Sequence, residues 1–118
     1  MSITPEEFLK FAEEAVNDAN ATEFDYRNSA SRAYYSAFHC CYSEKQRCPG
    51  LTDNDIAGSH DRLYERFHKL TPLTSPVNTK LKKMAYVAKM MKAIRHDADY
   101  KIHMPFLKRE AQQQISDA

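Results

Sequence analysis

The chain has 118 residues, room for one hydrophobic core but not two, so a single domain spanning 1–118 is expected. Two glycines, no tryptophan and 42% hydrophobic residues suit a compact helical fold and exclude a turn-rich β-sandwich. A net charge of +1 excludes a global basic signal for nucleic acid.

Thr4-Pro5-Glu6-Glu7 opens the first predicted helix, with a capping threonine, proline at the first helical position and a glutamate three after the cap. Phe8, Phe11, Ala12, Ala15 and Val16 then share one helical face, and the polar run from Asn17 to Thr22 ends the helix. A second helix is predicted from about Phe24 to about Gln46, with two stripes. Tyr26, Ala30, Ala33, Tyr34, Ala37, Phe38 and Cys41 form an apolar, small-residue face. Asn28, Arg32, Tyr35, His39 and Tyr42 form a second face, polar and aromatic together. Two organised faces put this helix in a central position, touching neighbours on both sides.

Cys48-Pro49-Gly50 breaks the chain, and residues 51–59 read as a loop. A short third helix is predicted from about Ser59 to Leu70, with His60, Leu63, Tyr64, Phe67 and Leu70 on one side. Another punctuated loop, 71–76, leads to a fourth helix beginning near Val77. Its buried stripe is Leu81, Met84, Ala85, Ala88 and Met91, with Lys80, Lys82, Lys83, Lys89 and Lys92 over the remainder. A last helix is expected from Pro105, with Leu107, Ala111 and Ile115 one turn apart. There is no internal repeat. The expected fold is an all-α bundle of four to five helices.

Charge is unevenly spread. Up to Asp25 the acids Glu6, Glu7, Glu13, Glu14, Asp18, Glu23 and Asp25 face Lys10 alone, whereas from Arg66 to His96 there are eight lysines and arginines and no acid. That split suits self-association or docking onto a polyanion, or is a dipole of solvated faces. Cys40, Cys41 and Cys48 are too few and too close for a disulfide framework, so two buried thiols at Cys40 and Cys41 and a cytoplasmic setting are expected. His39 beside Cys40 lacks a Cys-x-x-Cys pair, so neither metal nor other cofactor is expected. No signal peptide or membrane span is apparent, and no membrane partner is expected.

Carried forward, the fourth helix's stripe lands on Arg95, Asp99 and Ile102. A guanidinium on a core-facing line needs a partner. Asp99 is the local one, and Tyr35 and His39 are of the right kind to add to it. Arg95 is then either a clamp joining two helices or an arginine held for phosphate. His103 follows Arg95 after seven intervening residues, and this eight-residue step swings about 80° off the arginine's face in an ideal helix. His96 points about 100° from Arg95, towards the surface or a dimer contact. His60 is expected to cap or line the third helix and His68 to be exposed. Ser36 lacks the strand–turn–helix elbow of a nucleophile.

The segments Tyr26–Lys45, Gly58–Phe67 and Arg95–Tyr100 together resemble the HEPN superfamily of small helical domains. The likeness is to stand-alone members with an Arg-x-Tyr-Tyr-x-x-Phe-His helix and a later Arg-x-x-Ala-Asp-Tyr element. Here these are Arg32, Tyr34, Tyr35, Phe38 and His39, then Arg95, Ala98, Asp99 and Tyr100. The resemblance implies a HEPN-like bundle of the toxin–antitoxin or antiphage-defence type, acting on RNA as a homodimer. Many such domains are metal-independent endoribonucleases, in which an arginine followed by a polar residue stabilises the scissile phosphate. A histidine after roughly four to six intervening positions then moves a proton. Arg95 followed by His96 matches the first half, and His103 lies one place beyond the second. Tyr100 occupies the nearer slot, and its phenol is a weak base near neutral pH.

Arg95, His103 and His39 are therefore the candidate catalytic residues, with Arg32, Tyr35, Lys92, His96, Asp99 and Tyr100 as cleft or RNA-binding candidates. Two functions follow from the resemblance. One is an RNA-cleaving toxin or defence nuclease with a cognate antitoxin. The other is a non-catalytic HEPN module that binds a nucleotidyltransferase-type protein, a nucleotide or RNA. An accessory helical subunit with no nucleic-acid role also fits the near-neutral charge.

Overall fold

A computed structural model describes residues 3–44, 60–68 and 75–118. Two threonines start helices in the same way. The backbone N–H of Thr4 donates to Glu7 Oε2 at 2.9 Å and that of Thr22 to Asp25 Oδ2 at 2.8 Å. Each threonine is extended and turns the chain into a helix: α1 is Pro5–Asn17 and α2 is Glu23–Ser43. The third helix, α3, is His60–His68. Ser75 accepts from the Asn78 N–H at 3.3 Å and, with Pro76 at the first position, starts α4, Pro76–Tyr100. The last, α5, is Lys108–Asp117. The described residues thus form an all-α compact globule of five helices without strands.

The central helix is α2, which packs against all four others. Its apolar face, Ala33, Tyr34, Ala37, Phe38 and Cys41, meets Ala12 of α1, Leu63, Tyr64 and Phe67 of α3, and Ala85, Ala88 and Met91 of α4. Alanines on both sides of the α2–α4 seam let those axes approach closely. A smaller core of Val16, Ala30, Ala98, Phe106 and Ala111 closes the other end.

Buried polar side chains stitch these helices through backbone carbonyls. Ser29 Oγ donates to Ala12 O at 3.0 Å, and Gln114 Nε2 reaches Met91 O at 3.1 Å and Ala30 O at 3.4 Å. The strongest stitch is Arg27. Its Nη1 donates to Ala98 O at 2.8 Å, Lys101 O at 3.2 Å and Asp97 O at 3.3 Å, and its Nη2 to Met104 O. A cation is thereby placed on the carbonyls at and just past a helix C-terminus, at the negative end of its dipole. Glu23 Oε1 lies 3.6 Å from Arg27 Nη2 and accepts the Phe106 N–H at 2.5 Å.

Several expectations are corrected. Phe11 is 49% exposed and off the buried face of α1, where Ala12 and Val16 carry the packing. The fourth helix stops at Tyr100, so Ile102 leaves the stripe and is 74% exposed; Ala98 ends the buried line instead. The last helix starts at Lys108, not Pro105, because Glu23 takes the Phe106 N–H and Phe106 itself is buried. Cys41 is buried but Cys40 only half-buried. Gln46, Cys48, Pro49, Gly50, Ser59, Leu70, the loop expected at 51–59 and residues 71–74 of the loop expected at 71–76 lie outside the described residues, while Ser75 and Pro76 of that loop cap and begin α4.

Candidate functional site

The second face of α2 is half-buried along its whole length, and Tyr35 is its centre. The guanidinium carbon of Arg32 lies 4.8 Å from the Tyr35 ring centroid and that of Arg95, from α4, 5.8 Å. Arg95 is also 5.5 Å from the Tyr34 ring, and Arg32 is 6.0 Å from Phe8 of α1. One aromatic ring therefore holds two cations close together, each attracted to its electron-rich face.

Asp99 answers both. Its Oδ2 lies 3.5 Å from Arg95 Nη1 and accepts from Ser31 Oγ at 3.3 Å, while Arg32 Nη2 donates to the same Ser31 oxygen at 3.3 Å. The network still leaves donors over. The Nε atoms of Arg32 and Arg95 are both buried and have no hydrogen-bond partner among the described residues. An unpaired buried donor costs about 1–3 kcal/mol. The cluster thus holds two guanidinium groups against one carboxylate, which Arg95 meets directly and Arg32 through Ser31.

The histidines fall elsewhere. His39 stacks on Phe8 with ring centroids 5.3 Å apart and meets Phe38 edge-on at 5.1 Å, one aromatic layer away from the arginines. Burial pushes its imidazole below the usual value, so it is neutral at neutral pH. His103 is exposed in the segment between α4 and α5. His96 is exposed and its ring lies tilted against that of Tyr100, 65% exposed, at 4.8 Å; these two share a face of α4 beside the Arg95–Asp99 face. Lys92 is half-buried one turn before them. Of the predicted residues, Arg32, Tyr35, Arg95 and Asp99 come together. His39 is joined to them through Phe8, while His96, Tyr100 and His103 stand apart.

The histidine that shares Tyr34 and Tyr35, the ring neighbours of Arg95, is His60 of α3. Its Nδ1 is 2.6 Å from the Tyr34 hydroxyl, which is 2.8 Å from that of Tyr64, and its ring lies 5.8 Å from Tyr34 and 6.3 Å from Tyr35. His60 also stacks on Phe38 at 3.8 Å. The sequence reading assigned it only to capping or lining α3, and no spacing within α3 signals a contact made across to α2. Ser31 and Phe8 were likewise missed as site residues. Arg27 carried a readable signal, since seven residues back from Tyr34 is the same face of α2.

Among the described residues no three of His, Cys, Asp and Glu converge as metal ligands, and no helix is long and apolar enough to cross a membrane. No family model, curated protein or solved structure matches the chain.

Proposed function

We propose that this chain is a HEPN-type helical module that binds RNA through its phosphates, as part of a toxin–antitoxin or antiphage-defence system. The observation that carries this reading is the pair of guanidinium groups against Tyr35, each with a buried Nε left without a partner. A purely structural clamp between Arg95 and Asp99 has no use for a second arginine in the same cluster. The homodimer belongs to the same proposal. Tyr86, Met90 and Ile94 repeat every fourth residue on α4 and are exposed, and the acidic α1 of one copy complements the basic α4 of another.

Cleavage is the second reading, and His60 favours it. Its Nδ1 is held by Tyr34, whose ring also contacts Arg95, so an imidazole and a phosphate-binding arginine share one neighbour. Wild-type protein and Arg95→Ala, both checked for folding by circular dichroism, should be incubated with tRNA and total RNA in EDTA. Binding by wild type, lowered at least about tenfold in Arg95→Ala, is the expected result. RNA cleavage by wild type alone would move the conclusion to a metal-independent ribonuclease. Equal binding by the two proteins would overturn the phosphate reading.

A further inference from the structure

Beside the arginine cluster lies a cavity of about 430 Å³ lined by Ile3, Pro5, Phe8, His39 and Ser43. Its walls are mostly apolar, and its two polar residues, His39 and Ser43, lie one turn apart on the same face of α2. The Phe8 ring is the shared wall. It lies 6.0 Å from the Arg32 guanidinium, 6.4 Å from the Tyr35 ring and 5.3 Å from the His39 ring. We infer that this cavity is a nucleobase subsite, taking the base of a nucleotide whose phosphate sits on Arg32 and Arg95. The inference rests on the phosphate reading above and adds what the site recognises next to the phosphate.

The chemistry fits a flat heteroaromatic better than the alternatives. An aliphatic chain has no use for His39 and Ser43, and a charged group has no counter-ion among the five lining residues. A base has two apolar faces for Phe8, Ile3 and Pro5, and a polar edge. Base stacking on aromatic side chains also tolerates any sequence, as a general RNA binder requires. Neutral His39 presents one donor and one acceptor. Ser43 Oγ donates its hydrogen to Cys40 O at 2.7 Å, which leaves its lone pairs to accept from a base N–H. His39 thus has a role that needs no contact with Arg95.

The test is calorimetric titration of the whole chain with the four nucleoside 5′-monophosphates, ribose 5-phosphate and inorganic phosphate, then with short single-stranded oligoribonucleotides. At least one monophosphate should bind about tenfold tighter than ribose 5-phosphate, and Ile3→Asp, at a cavity wall away from the arginines, should remove that advantage while leaving ribose 5-phosphate binding in place. Wild-type NMR guards against a folding defect in the variant. The Ile3 methyl and His39 ring signals should move with nucleotide and stay still with ribose 5-phosphate. Tight mononucleotide binding with oligonucleotides excluded supports the subsite and makes free nucleotide its ligand. Equal binding of nucleotide and ribose 5-phosphate overturns the subsite and leaves the phosphate reading standing. No phosphate compound binding at all overturns both.

Discussion

Arg27 and Arg95 both lie on the inward side of a helix, and what separates them is the supply of acceptors. Four backbone carbonyls and Glu23 surround Arg27, so its cation is spent on the end of α4. Arg95 has Asp99 and two rings, with a donor left over. Arg27→Ala should therefore cost on the order of 3 kcal/mol, read as a lower urea midpoint at unchanged slope. Arg27→Lys should recover only part of it, because an ammonium has no planar fork to spread over several carbonyls. Arg95→Ala should cost only about 1 kcal/mol. Arg95 and Asp99 were legible because helical periodicity carries α4's stripe straight to them. Arg27 was equally within reach of that arithmetic run backwards along α2, but its charge makes such a position look like surface.

At the scale of elements, the starts of helices were legible and their ends less so. Thr4-Pro5 announces α1 through local chemistry, whereas Ser75-Pro76, read as the end of a loop, is the same kind of start and opens α4 one residue before the expected Val77. The start of α5 depends on Glu23, 83 residues before Phe106 in the chain, so no local signal marks it. The placement of α3 is long-range in the same sense. Its apolar residues were readable, but its polar tie to α2 runs through the Tyr34 hydroxyl to His60 and Tyr64. Tyr34→Phe keeps the ring and removes both bonds, and should lower stability by about 1–2 kcal/mol. Native-state hydrogen exchange should show the loss concentrated in α3, with α1 protected as before.

For the molecule as a whole, a net charge of +1 means that attraction to a polyanion comes from where the cations sit. The half-buried pair Arg32 and Arg95 is one such place. If those two make the phosphate contacts, log affinity for single-stranded RNA should fall against log salt with a slope of about −1.4 per subunit. A slope several times steeper would instead assign binding to the lysines spread over α4. The two-faced pattern of α2 was the most informative feature of the sequence for the whole fold. It placed that helix at the centre, and its second face carries the candidate site.

The bonds of Arg27 also bear on the order in which the chain takes shape as it is made. They link residues 70 to 77 positions apart, so the first turn of α2 is synthesised long before the carbonyls that receive it. At about 5–20 residues per second the guanidinium waits several seconds on the ribosome. Until the end of α4 has emerged, α1 and α2 can pair as a helical hairpin in which Arg27 has Glu23 but none of its carbonyl partners. Chains released before that point should be cut readily by proteases near residue 27, while longer ones resist.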